Sequence, residues 1–200
     1  MSEYNVADTD VTVAEDYVSK RFRQNGKDFS RLLPNFNTNY LFLQDRMKFS
    51  LDIERSQMPV IEPNDMNEFI RKIRAGHIDI FAPYTNTSLY PIEFKTKRHA
   101  GKYLTAGLRD GKIEDDVLIV KLTKIKSKKM KPIQGQIWLD VMVDGMLKFG
   151  VPRRGASILN APIIMSRNYY IIDGHHRWGQ VMLVNPEFSL QAVVLPLDIV

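Results

Sequence analysis

Tyr170-Ile171-Ile172-Asp173-Gly174-His175-His176-Arg177-Trp178, YIIDGHHRW, runs an apolar stretch straight into an acid, a glycine, two histidines and an arginine. The apolar run reads as a strand that delivers the chain to Asp173. Gly174 permits a sharp turn or a close ligand approach, and the following helix begins at about His175 to Arg177. A strand, a turn and a helix N-terminus in that order favour an anion, because backbone N–H groups and the positive end of the helix dipole meet there. Arg177 adds a bidentate fork suited to phosphate oxygens. His175 and His176 bring groups that donate, accept or shuttle a proton near neutral pH, which makes them candidate catalytic residues. Asp173 has several open roles: holding a histidine tautomer, binding Mg²⁺, activating a hydroxyl, or capping the helix while one histidine is a buried structural group.

Working outward from this corner, APIIM and NYYIID read as two strands joined by the polar turn Ser166-Arg167-Asn168. Arg177 to Val184 reads as a helix stopped by Asn185-Pro186, and LQAVVLPLDI as a last strand. At the other end, Thr12 and Glu15 have capping-box spacing ahead of Val13, Tyr17, Val18 and Phe22, and Asn25-Gly26 supplies a stop, so residues 12–24 are expected to be helical. A second helix is expected over 37–50, with Tyr40, Leu43 and Met47 at helical spacing and Phe36 just before them. Residues 1–50 thus form a helical N-terminal arm, which either packs on the core or makes a homodimer.

From Leu51 the pattern changes. LDIERSQMPVI reads as a strand and loop closed by Pro63, and Asn64 to Arg74 as a helix with Met66, Phe69, Ile70 and Ile73 on one face and Gly76 as its stop. Residues 77–150 look strand-rich: LYPIEFKT, DDVLIVKLTKI and IWLDVMVD are separated by RDGK and KSKKMKP turns. Trp138 and Trp178 are expected in the core, the latter under the motif helix. The whole reads as an α+β fold.

The 200 residues suffice for one sizeable core, and 44% hydrophobic composition excludes general disorder. With no cysteine, disulfides, thiolate zinc sites and thiol catalysis are excluded. The acidic start MSEYNVADTDVTVAEDYV does not look like a signal peptide, and no apolar run approaches membrane-spanning length. A soluble protein of a bacterial or phage-infected cytoplasm is expected, with a virion as the other location. The 28 Lys+Arg against 23 Asp+Glu leave a net charge of +5, which suits a polyanionic partner.

The string IIDGHHRW followed by LQAVVLPLDI resembles the ParB/sulfiredoxin superfamily, whose members carry a strand, a (D/G)-G-x-H-R-aromatic turn, a helix and a closing strand. ERSQMPVIEPNDMNEFIRKI looks like the same family's opening strand, R-x-x-M-P loop and first helix. The resemblance implies a ParB/sulfiredoxin-like domain over 51–200, with an insertion at about 77–150. It further implies that Gly174, His176 and Arg177 cradle the phosphates of ATP, ADP or CTP with Mg²⁺, that Asp173 is a metal ligand, and that Arg55, with Met58 and Pro59, faces the same pocket. Sulfiredoxin chemistry is excluded by the absence of cysteine.

Two activities of such a family remain open. One is a ParB-like nuclease cleaving phosphodiester bonds with a metal ion. The other is a phosphotransferase resembling the free serine kinases, in which Glu54 matches the family's glutamate from the opening segment. A noncatalytic phage structural or packaging component that kept the fold is the third reading.

Basic clusters outside the motif bear on the choice. KLTKIKSKKMK, residues 121–131, holds six lysines, of which Lys126, Lys128 and Lys129 are candidate phosphate contacts or else a solvated turn. Arg153 and Arg154 lie between glycines in GVPRRGAS, able to reach the same phosphate or a DNA backbone. KTKRHAGKY, residues 95–103, mixes cations with Tyr103, suited to phosphate contact with base stacking or to a solvated loop. DNA, held by its phosphates and not read by base, is therefore the expected partner.

Overall fold

The computed structural model describes residues 3–53, 121–195 and 198–199. Expectations for 54–120 lie outside them: most of the LDIERSQMPVI strand, the 64–74 helix, LYPIEFKT, and the first part of DDVLIVKLTKI.

Helix α1 spans Val11–Gln24 and buries Ala14, Val18 and Phe22 on one face. Its cap differs from the expected Thr12–Glu15 box. Asp10 is the N-cap and accepts from the Thr12 N–H at 2.8 Å, since a short carboxylate one residue outside the helix reaches that amide directly. Glu15 instead accepts from Asn37 Nδ2 on the third helix at 2.9 Å. A single turn, α2 (Phe29–Leu32), leads into α3 (Phe36–Met47), which ends three residues short of the expected 50. Tyr40, Leu43 and Met47 are buried, as their spacing requires. Phe22, Phe29, Phe36 and Tyr40 make a chain of ring contacts with centroids 6.1, 5.4 and 5.5 Å apart, joining the three helices through aromatic packing.

The sheet is mixed and has five strands among the described residues: β1 (Lys121–Lys126), β2 (Lys131–Pro132), β3 (Ile163–Ser166), β4 (Tyr170–Asp173) and β5 (Ser189–Leu195), in the order β1-β5-β3-β4-β2. β1 and β5 are antiparallel, with Lys126 opposite Ser189 and Lys121 opposite Val194. β3 runs parallel to β5 and antiparallel to β4. β2 joins β4 in parallel. The β3–β4 hairpin turns at Ser166-Arg167-Asn168, as the polar run suggested, and Tyr169 takes φ +73° there. Ile163 and Met165 of β3, Ile171 of β4 and Leu190 and Ala192 of β5 enter the main core at period two.

Between β2 and β3 lie α4 (Leu139–Phe149) and the short α5 (Ser157–Asn160); α6 (His175–Val184) links β4 to β5. IWLDVMVD was expected to be a strand and is instead the entry to α4. Leu139, Met142, Val143 and Met146 fall at i, i+3, i+4 and i+7 and are all fully buried. That helical stripe outweighs the short local alternation once another helix is there to receive it. α4 packs on α6, where Gly179 brings the backbones close. A Cβ on Gly179 would sit 2.2 Å from Met142 Sδ, and one on Gly145 2.5 Å from Gln180 Nε2.

α3 also packs on α6, so the N-terminal helices share one hydrophobic core with the sheet and the motif helix. Asn39 Nδ2 donates to the Leu183 and Val184 carbonyls at 3.0 Å each, satisfying the C-terminal end of α6. Trp178 is fully buried and its indole N–H donates to the Ser127 carbonyl at 2.9 Å. Trp138 is only half-buried, because it stands outside α4 as the N-cap residue. The described residues include no helix long and apolar enough to cross a membrane. The protein is thus of the α+β class.

Candidate functional site

β4 alternates, with Ile171 and Asp173 turned inward, so the strand's period of two carries the Asp173 carboxylate to a position only 8% exposed. Gly174 then adopts φ +104°, ψ 23° as the N-cap of α6. A Cβ there would meet Ile163 Cδ1 at 2.4 Å and Arg177 Nη2 at 3.0 Å, so glycine is required twice over, by backbone and by space. Asp173 makes no side-chain cap to α6. Its Oδ2 accepts from Arg177 Nη2 at 3.3 Å, one helical turn on, while Arg177 Nη1 donates to the Pro162 carbonyl at 2.9 Å. Desolvation pulls the Arg177 guanidinium below its ordinary pKa, and the Asp173 carboxylate opposes that shift. The fork read as a phosphate ligand is therefore folded back to tie α6 to the start of β3.

The two histidines face the segment between β2 and α4. His175 is 3% exposed, and its Nε2 accepts from the Ile133 N–H at 3.0 Å and the Gln134 N–H at 3.4 Å. His176 is half-buried, and its Nε2 accepts from the Trp138 N–H at 3.2 Å. An accepting Nε2 carries its lone pair and no proton, so the neutral ring keeps its proton on Nδ1. Both imidazoles thus satisfy main-chain donors in a segment with little regular structure of its own. A Mg²⁺ ion is poorly matched by the groups described around Asp173, because a guanidinium 3.3 Å from the carboxylate would repel a second cation. Glu54, Arg55, Met58 and Pro59, the candidates from the opening segment, and the 95–103 cluster all lie outside the described residues.

The lysine tract divides by role. Lys126 Nζ lies 2.8 Å from Glu187 Oε2, and Lys128 Nζ donates to the other oxygen of the same carboxylate. These hydrogen bonds pull the Glu187 carboxyl down from an ordinary 4.5 to about 2. Lys131 Nζ stands 4.2 Å from the Tyr170 ring centroid, a cation–π contact. Lys129 lies in the 3₁₀ turn Ser127–Lys129, exposed and without an ion pair among the described residues.

Arg153 and Arg154 are exposed and line an open groove of about 660 Å³ between the end of α4, the loop to α5, and the loop after α1. Lys27 joins them from the far end of the sequence, and Leu32, Val151 and Ile158 supply apolar lining. Among the described residues no carboxylate lines the groove, and none of the three cations has an ion pair. Phe149, the last residue of α4, stands at its edge 81% exposed. Sequence reasoning singled out neither Lys27 nor Phe149. The available signal was an aromatic residue on the buried stripe of α4, directly before the helix-ending Gly150.

Fold and corner together define an α+β protein with a mixed sheet, a strand–glycine–helix corner stapled by two histidines, and a separate basic groove. No protein-family model, curated protein or solved structure matches the chain.

Proposed function

We propose that this protein binds DNA through its phosphates, as a ParB-like phosphate-binding protein. The observation that supports the reading best is the groove that Lys27, Arg153 and Arg154 line with no acid among its described lining residues. Like charges gathered without a counter-ion repel one another, and a polyanion relieves that repulsion while releasing its own condensed cations. Lys126 and Lys128 contribute less, because Glu187 already neutralises part of their charge.

The test is binding of a labelled DNA oligonucleotide across a salt series. Arg153→Ala/Arg154→Ala should lower affinity and flatten the plot of log affinity against log salt by roughly 1.4 to 1.8, at 0.7 to 0.9 for each phosphate that the arginines neutralise. An unchanged slope would remove the groove from the interface.

A second reading, nucleotide phosphate at the Asp173–Arg177 corner, is supported by a helix start on a positive-φ glycine with no side-chain cap among the described residues. Phosphodiester cleavage or phosphotransfer at that corner would call on His175 or His176 for proton transfer, yet each Nε2 accepts from a main-chain N–H. Plasmid nicking with Mg²⁺ or Mn²⁺, and titration of ATP, ADP and CTP, separate these readings from simple DNA binding. Metal-dependent nicking lost in His176→Ala would establish the nuclease. Turnover of nucleotide only with an added hydroxyl compound would favour the kinase.

A further inference from the structure

We infer that the groove between α4 and α5 takes a single-stranded segment of nucleic acid, with a base stacked on Phe149 and the neighbouring phosphates held by Arg153, Arg154 and Lys27. This rests on the phosphate-binding reading above and adds strandedness and a stacking platform to it.

Phe149 carries the argument. It lies seven residues after Met142 and three after Met146, so it continues the buried stripe of α4. Yet both methionines are fully buried, whereas Phe149 is 81% exposed, the most open of the large hydrophobic side chains described. The helix ends at Gly150, φ +95°, and the ring projects past the end of the core to the groove edge. An aromatic ring left in water forfeits the stabilisation its burial would bring, on the order of 25 cal/mol per Å² of apolar surface.

The surroundings select the occupant. Lys148 Nζ lies 5.1 Å from the ring centroid, adding a fourth cation beside a ring that stays 81% exposed. Three further cations line the groove with no acid among the described lining residues, which favours an anionic occupant over a cationic one on charge grounds. The apolar lining from Leu32, Val151 and Ile158 suits a base or sugar edge better than the carboxylates of an acidic peptide. A volume near 660 Å³ admits a short stretch of strand, not the width of a duplex. In a duplex each base is already stacked within the helix and offers no face to Phe149, whereas in a single strand it does.

The experiment is fluorescence anisotropy on the full chain with a labelled oligothymidylate of about a dozen nucleotides, within the site sizes such grooves cover, and a duplex of equal length. Single strand should bind more tightly. Phe149→Ala should weaken single-strand binding by about 5- to 150-fold, the loss of one stacked base, with little effect on duplex, and Phe149→Trp should restore it. The Phe149 ring faces solvent, so folding should survive either change, and circular dichroism checks this. If Phe149→Ala leaves single-strand affinity unchanged while Arg153→Ala/Arg154→Ala lowers it, stacking is overturned and phosphate binding stands. If neither variant changes binding, both fail. Displacement of the oligonucleotide by polyglutamate at equal charge concentration would overturn the assignment to nucleic acid.

Discussion

At the scale of single residues, His175 shows how much of the motif serves architecture. Its ring is buried, and Nε2 is the acceptor for the Ile133 amide. His175→Phe keeps the ring volume and removes that acceptor. A buried amide left unpaired costs about 1–3 kcal/mol, so urea denaturation should show a stability loss of that size. His176→Phe should cost less, because its partner Trp138 is half-buried and its amide lies nearer to water. Equal losses, or none in His175→Phe, would mean that the imidazole is not what holds the 133–138 segment. Gly174 is constrained from the opposite direction, by crowding: Ile163 occupies the space a side chain would need.

At the scale of elements, the α4–α6 crossing depends on Gly179. In an isolated helix, alanine is favoured over glycine by about 1 kcal/mol. Here the added methyl would lie 2.2 Å from Met142 Sδ, so the fully buried Met142 side chain would have to shift. Gly179→Ala should therefore destabilise the protein against its intrinsic propensity. Combined with Met142→Ala, it should cost less than the sum of the single changes, with a coupling of about 0.5–3 kcal/mol in a double-mutant cycle. Strict additivity would show that the crossing distance is not set by this pair.

The β1–β5 edge makes a pH prediction. The folded Glu187 carboxyl is depressed to about 2 from an ordinary 4.5 by Lys126 and Lys128. A depressed acid stabilises the fold fully above its unfolded pKa, so this contribution is present above about 4.5 and is lost as pH falls toward about 2. In an NMR titration the Glu187 carboxyl should remain ionised through pH 4. Lys126→Ala/Lys128→Ala should return its midpoint toward 4.5, and a midpoint unmoved by that change would show that the lysines are not its partners.

At the scale of the whole molecule, residues 3–50 and the sheet are held by one core. Tyr40 and Leu43 of α3 are fully buried in the same cluster as Trp178, Val181 and Met165. The Tyr40 hydroxyl, pushed well above its usual pKa by desolvation, donates to the Thr9 carbonyl at 2.9 Å and so closes the N-terminal segment over α3. A chain trimmed to residues 51–200 would expose the face of α6 that α3 covers. It should lose its cooperative unfolding transition and bind an apolar dye, as a chain with collapsed but unfixed packing does. A sharp, dye-free transition in the fragment would show that the N-terminal helices are dispensable.

What the sequence by itself determined is local. The 3.6-residue period placed α1 and α3, the apolar stretches on either side of a polar turn placed the β3–β4 hairpin, and glycine between an apolar run and a helix marked the corner at Gly174. Those patterns are legible because backbone geometry sets their periods, whatever packs nearby. The remainder depended on partners distant in the chain. WLDVMVD carries both periods over a short span, and helix prevailed because α6 presents Gly179 to receive Met142. The histidines of the motif acquired acceptor roles from amides 38 to 42 residues earlier. Lys126 and Lys128 met Glu187 about sixty residues on, and Lys27 reached Arg153 and Arg154 only when the loop after α1 came to rest beside the end of α4. Charge and hydrogen-bonding capacity are written residue by residue, but which group answers them is decided by the tertiary fold, because only folding sets the distances over which those forces act.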